Sequence, residues 1–172
     1  MDKKIIITIP HYNNPVGLIN TISSINDPIK IDIVITDDGS EIKLDEHQVR
    51  SKYNNKGNIH FIYLDKNYGV GIAANKCLEY VKNKSYKYVA RLDAGDISYK
   101  NKFSKQIEFL EKNNQIMLVG TWARVLDNEG NLLFYIKHPT DYNNIKRKMY
   151  LNSMFVNPTV LFKTSILETV SE

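Results

Sequence analysis

Apolar residues in this chain gather in short runs that close at polar turns, and between the runs they recur at helical spacing. Within residues 4–9, Ile5-Ile6-Ile7-Thr8-Ile9 is a run of β-branched side chains, apolar but for Thr8, which predicts a strand buried on both faces. The run stops at Pro10, and His11-Tyr12-Asn13-Asn14-Pro15 reads as a loop. Val16, Ile19, Ile22 and Ser23 follow with the helical period, with Asn14 as N-cap and Pro15 at the first helical position. A second run, 31–36, meets the turn Asp37-Asp38-Gly39-Ser40. Residues 44–53 predict a polar surface helix, and 59–64 a third strand closing at Asp65-Lys66-Asn67-Tyr68-Gly69.

Ile72, Leu78 and Val81 predict a helix over 70–81, and residues 86–92 a fourth strand that ends in Asp93-Ala94-Gly95-Asp96. Phe103, Ile107 and Leu110 fall on one helical face. Residues 117–126 and 132–136 flank Asp127-Asn128-Glu129-Gly130-Asn131, which predicts a β-hairpin. Residues 142–151 read as a short basic helix, 159–162 as a last strand, and Ser165 as a helix start. A βαβα series followed by a hairpin implies an α/β fold whose sheet is mostly parallel with an antiparallel edge.

The length of 172 residues and 42% hydrophobic content predict one domain over residues 1–172. No apolar run approaches the roughly 20 residues of a membrane helix, and no signal peptide is visible. The single cysteine, Cys77, excludes an internal disulfide and fits a reducing cytosol, so a cytoplasmic location is expected. A formal charge of +4 favours anionic partners without choosing among nucleotides, phosphorylated lipids and nucleic acid.

Two acids three positions apart at a strand's C-terminal end are a site signal, because open α/β sheets bind ligands in the crevice outside those ends. They are also ordinary turn chemistry, and Asp96 is placed to cap the next helix. Gly69 and Gly71 open a helix whose N-terminus is receptive to phosphate. His11, His47, His60 and His138 lack metal-like spacing and read as surface or core residues; Cys77 and Trp122 read as packing.

Four features in order, Pro10-His11-Tyr12-Asn13, Asp37-Asp38-Gly39-Ser40, Asn67-Tyr68-Gly69 and Asp93-Ala94-Gly95-Asp96, resemble the inverting GT-A glycosyltransferases of family 2 over nearly the whole chain. The resemblance implies a Rossmann-like three-layer α/β/α sandwich with an antiparallel hairpin. It also implies transfer of a sugar from a nucleotide diphosphate, most often UDP, to a polysaccharide or lipid-linked acceptor, with no nucleic-acid partner. By the resemblance, Pro10, Tyr12, Asn13, Asp37, Asp38, Gly39 and Ser40 hold the nucleoside, with Asp38 or Asp37 reading the base. Asn67, Gly69 and Asn75 lie beside the diphosphate, and Asp93 and Asp96 hold Mg²⁺ or Mn²⁺.

The chain departs from the family pattern in several places. Ala74 stands where an arginine is common, leaving Lys76 and Arg91 as nearby cations, and Gly95 replaces the usual metal-binding Asp. Asn157 in Asn157-Pro158-Thr159 stands where His is common. The family's general-base motif is expected beyond Glu172, with Asp141 and Glu168 the acids to test within the chain. A nucleotide-sugar-binding module without turnover is the alternative class. A dinucleotide dehydrogenase would require a Gly-x-Gly-x-x-Gly turn after the first strand, which is missing. Lys137 and Lys146-Arg147-Lys148, next to Met149-Tyr150-Leu151, suggest a peripheral contact at the inner face of a membrane, weighed against a solvated helix face.

Overall fold

The computed structural model describes residues 4–169. Strands β1 (Ile5–His11), β2 (Asp32–Asp37), β3 (Ile59–Tyr63) and β4 (Tyr88–Arg91) run parallel, with β1 between β2 and β4. The sheet order is β3-β2-β1-β4-β8-β5, where β5 is Leu118–Val119 and β8 is Leu161–Lys163. β8 lies antiparallel to both neighbours.

Alternation along the buried strands assigns side chains to the two faces. Ile5, Ile7 and Ile9 of β1 pack with Leu18 and Ile22 of α1 (Pro15–Ser24), Val49 of α2 (Glu46–Ser51), and Phe103, Ile107 and Leu110 of α4 (Lys102–Lys112). Ile6, Val34 and Val89 face the opposite way, onto Cys77 and Val81 of α3 (Val70–Lys82). The result is the expected three-layer α/β/α sandwich. Each fully buried isoleucine contributes about 1.5–3 kcal/mol relative to exposure.

The expected strand over 117–126 is two strands. β5 joins the main sheet, whereas β6 (Ala123–Leu126) pairs with β7 (Leu132–Ile136) in a separate antiparallel sheet, so β8 is the antiparallel partner of β4. The chain turns at Gly120, where a Cβ would lie 3.0 Å from the Phe155 ring, and Thr121 N–H donates to Thr159 Oγ1 at 3.1 Å. Trp122 sits in this break, half exposed rather than packed in a strand; its indole N–H donates to the His138 carbonyl and Lys137 lies over its ring.

Asn14 is the N-cap of α1, accepting from Gly17 N–H at 3.0 Å, with Pro15 opening the helix. Asp96 does not cap α4. Asn101, left-handed at φ 60°, offers no side-chain cap, and Asp27 from the loop after α1 accepts from Phe103 and Ser104 N–H instead. α5 (Tyr142–Lys148) is capped by Asp141 and buries no residue. Residues 164–168 form a 3₁₀ turn, and the expected helix past Thr169 lies outside the described residues. No helix among the described residues is long and apolar enough to cross a membrane.

Candidate functional site

The loops after β1, β2 and β4 and the start of α3 meet at the C-terminal edge of the parallel strands. His11 belongs to β1 rather than to a loop, and the strand register sets it opposite Asp37. Its Nδ1 lies 2.7 Å from Asp37 Oδ2, while Nε2 accepts Asn14 N–H at 3.2 Å. An accepting Nε2 places the proton on Nδ1, which therefore donates to the carboxylate. Asp37 Oδ1 accepts Ser40 N–H, and Ser40 Oγ accepts Asn13 N–H, both at 2.9 Å. Asn13, at φ 48°, returns its Oδ1 to the N–H groups of Glu41 and Ile42. The first two loops are thus one bonded unit.

Asp38 ties that unit to α3. Its Oδ1 accepts Tyr68 N–H at 2.9 Å and its Oδ2 accepts Gly69 N–H at 2.8 Å. Gly39, at φ +68°, brings the turn so close that a Cβ would lie 2.3 Å from the Lys66 backbone, so only glycine fits. Asn67 Oδ1 also accepts Gly69 N–H. Gly69 is the N-cap at φ +95° with its own N–H given to Asp38 and Asn67, and the first turn of α3 itself carries no acidic side chain, so an anion would meet the N–H groups that follow Gly69. A cleft of about 180 Å³ opens here, lined among others by Pro10, Tyr12, Asp38, Asn67, Gly69 and Ala73. A second hollow of about 340 Å³ is bordered by Asp37, Gly39, Ser40, Lys43, Tyr63 and Asp65. Asn75, on α3, lines neither.

The acidic turn is held from α1. Thr21 Oγ1 donates to the Asp96 carbonyl at 2.8 Å and accepts Gly95 N–H at 2.9 Å, while Asn14 Nδ2 donates to the Ala94 carbonyl. Gly95 sits at φ +110°, a conformation an aspartate there would adopt only under strain. Burial and the neighbouring Asp93 charge raise the Asp96 carboxyl, tempered by Lys102. Lys102 donates to the Pro158 carbonyl, and burial pushes its ammonium down to about 8. Asp93 is half exposed and receives Arg91 Nε at 3.3 Å.

No group of three or more His, Cys, Asp or Glu suited to a metal occurs among the described residues. Two adjacent carboxylates nevertheless fit a hard divalent cation that takes its other oxygens from phosphate and water, the usual mode for Mg²⁺.

His11 is the site-region residue that sequence reading left as an unremarkable surface or core histidine. Its signal was the alignment of two parallel strands, which no local pattern carries. Cys77 is a core residue as expected, near Thr36 Oγ1, with burial raising its thiol. Asp141 spends both oxygens on Asn144, which holds its carboxyl below the usual range.

The sequence profile of glycosyl transferase family 2 matches residues 6–171. An uncharacterized glycosyltransferase of Methanocaldococcus jannaschii is 30% identical over 98% of this chain and 59% of its own length. The UDP-Gal:alpha-D-GlcNAc-diphosphoundecaprenol beta-1,3-galactosyltransferase of Escherichia coli is 26% identical over 77% of this chain and 46% of its own. The chain therefore spans about half the length of these curated relatives. Among solved structures, the mannosyltransferase PcManGT of Pyrobaculum calidifontis, in complex with GDP-Man and Mn²⁺, superposes with a TM-score of 0.66 at 16% identity, covering 98% of this chain and 47% of that one. The three-layer fold agrees with the GT-A likeness, and with the profile spanning nearly every residue, the chain belongs to glycosyl transferase family 2.

Proposed function

We propose that the chain binds a nucleoside diphosphate sugar across the β1, β2 and α3 loops and serves its transfer, with inversion, to a saccharide or lipid-linked saccharide. The observation that carries this reading is the double grip of Asp38 on the N–H groups of Tyr68 and Gly69, which joins the expected base-reading turn to the open end of α3. One rigid unit then presents an aromatic ring, Tyr12, a carboxylate and a helix N-terminus to a single nucleotide. The E. coli relative's named donor and acceptor support a UDP-sugar and a lipid-linked acceptor, and the GDP-Man of the structural neighbour keeps guanine nucleotides in the test.

Asp38 is the better candidate for the base, because it lines the cleft beside Tyr12, whereas Asp37 borders the other hollow. Each Asp38 oxygen accepts one bond and retains a further acceptor site for a ring N–H. The helix end and Asn67 border the diphosphate. Asp93 and Asp96 would hold Mg²⁺ or Mn²⁺, which when bound supplies charge neutralisation of the leaving diphosphate. In the transfer itself, the acceptor oxygen displaces the diphosphate from the anomeric carbon in one in-line step, and a carboxylate removes its proton.

The second reading, a binding module without turnover, is favoured by Gly95 and by the commitment of Asp141 to capping α5. Calorimetry with UDP and GDP, paired with a sugar-transfer assay, separates the two: binding with transfer supports the enzyme, binding alone the module. The proposal also includes a cytoplasmic setting and a peripheral membrane contact through α5, whose Lys146, Arg147 and Lys148 precede the exposed Met149, Tyr150 and Leu151.

A further inference from the structure

Arg91 is the last residue of β4 and leads into the acidic turn. Its side chain is four-fifths buried, yet among the described residues its only side-chain partner is Asp93, reached by Nε at 3.3 Å. The two terminal nitrogens, four N–H donors, carry no protein partner among the described residues. A guanidinium held mostly out of water with its fork unspent is a costly arrangement unless a ligand completes it.

The face on which Arg91 lies follows from strand alternation. Val89, two residues earlier, packs against Cys77 of α3, and the Arg91 charge acts on the Cys77 thiol. Cys77 is one helical turn past Ala73, which lines the cleft at the start of α3. Arg91 therefore lies on the sheet face that α3 covers, at the strand end that carries Asp93. Of the two lysines on α3, Lys76 places its ammonium on both oxygens of Glu79 at 2.8 and 2.9 Å, and Lys82 is in the last turn, away from the cleft.

We propose that Arg91 is a diphosphate-binding residue, its terminal nitrogens forming a bidentate pair with phosphate oxygens of the donor while Asp93 orients the fork through Nε. The inference rests on the donor reading above. Planar fork geometry matches two phosphate oxygens, which an ammonium meets only as a point charge.

The test is calorimetric titration of UDP and of uridine into the wild type, Arg91→Met and Arg91→Lys, each with Mn²⁺ and with EDTA, after thermal unfolding of every protein. Arg91→Met should weaken UDP about 10- to 100-fold, as for lost charge-assisted hydrogen bonds, and leave uridine unchanged. Arg91→Lys should recover part of the UDP affinity, and the effect should persist in EDTA. If Arg91→Met does not fold, Arg91→Lys carries the same comparison, with UDP weakened and uridine unchanged. Equal losses for UDP and uridine, or a loss that vanishes in EDTA, would overturn the assignment by placing the effect on the fold or on Asp93. UDP binding indifferent to Arg91 would overturn this inference alone. Failure of the wild type to bind either probe would overturn it together with the donor reading.

Discussion

His11 Nδ1 donates to Asp37 Oδ2 across 2.7 Å, joining the final residues of two adjacent parallel strands. The pair is buried, and the other ring nitrogen accepts the backbone at Asn14. Removing the ring strands a buried carboxylate oxygen and a backbone donor together. His11→Ala should therefore lower unfolding stability by about 1–3 kcal/mol or more, read by urea denaturation, and weaken nucleotide binding through the loosened loops. Unaltered stability would show that water replaces the ring at no cost.

The Thr21 hydroxyl serves the acidic turn as both donor and acceptor. Thr21→Val keeps the shape and removes the hydroxyl's bonds to the Asp93 and Asp96 carbonyls and from Gly95 N–H, so a loss of about 1–3 kcal/mol is expected. Gly95→Asp, which installs the carboxylate common in the family, should also lower the melting temperature, because φ +110° strains any side chain by about 1–3 kcal/mol. A more stable Gly95→Asp protein would mean that the turn relaxes to another conformation.

Much of the frame was legible before any coordinates. Ile5, Ile7 and Ile9 against Ile6 gave a strand buried on both faces, and Asn14-Pro15 gave a helix start, because both signals are local. What was hidden depends on partners distant in sequence. Asp27 capping α4, His11 bracing Asp37 and Thr159 bending the chain at Thr121 span from 26 to 77 positions. Of the expected residues, Pro10, Tyr12, Asp38, Asn67 and Gly69 border one cleft and Asp37, Gly39 and Ser40 the neighbouring hollow, while Asn13 and Asn75 line neither.

Lys102 gives a pH dependence with a definite sign. Burial lowers its folded value to about 8 from an ordinary 10.5, with Asp96 the opposing charge. The charged form is thus disfavoured in the folded state. Its cost is fully present below pH 8 and is relieved as pH rises from 8 towards 10.5. Wild-type stability relative to Lys102→Met should climb over that window in denaturation measured at a series of pH values. A difference independent of pH would show that Lys102 is solvated.

The α5 surface is tested with vesicles. If Lys146, Arg147 and Lys148 meet anionic lipid at about 1 kcal/mol each, the triple change to Gln should release the protein from phosphatidylserine vesicles while leaving its weak retention on neutral ones unchanged. Equal retention of both proteins would reduce the helix to a solvated face.

The most direct measurement is calorimetric titration of UDP and GDP into the wild type and two single variants, Tyr12→Ala and Asp38→Asn. Tyr12 is exposed at the cleft and its removal leaves the core intact, while Asp38→Asn keeps the size, removes the charge and turns an amide donor towards the Tyr68 or Gly69 N–H, so its thermal unfolding is measured alongside. Saturable binding of one nucleotide, weakened about tenfold or more by each change, is the expected result. Absence of binding by either nucleotide, or binding indifferent to both changes, would contradict a nucleotide-sugar site at this crevice.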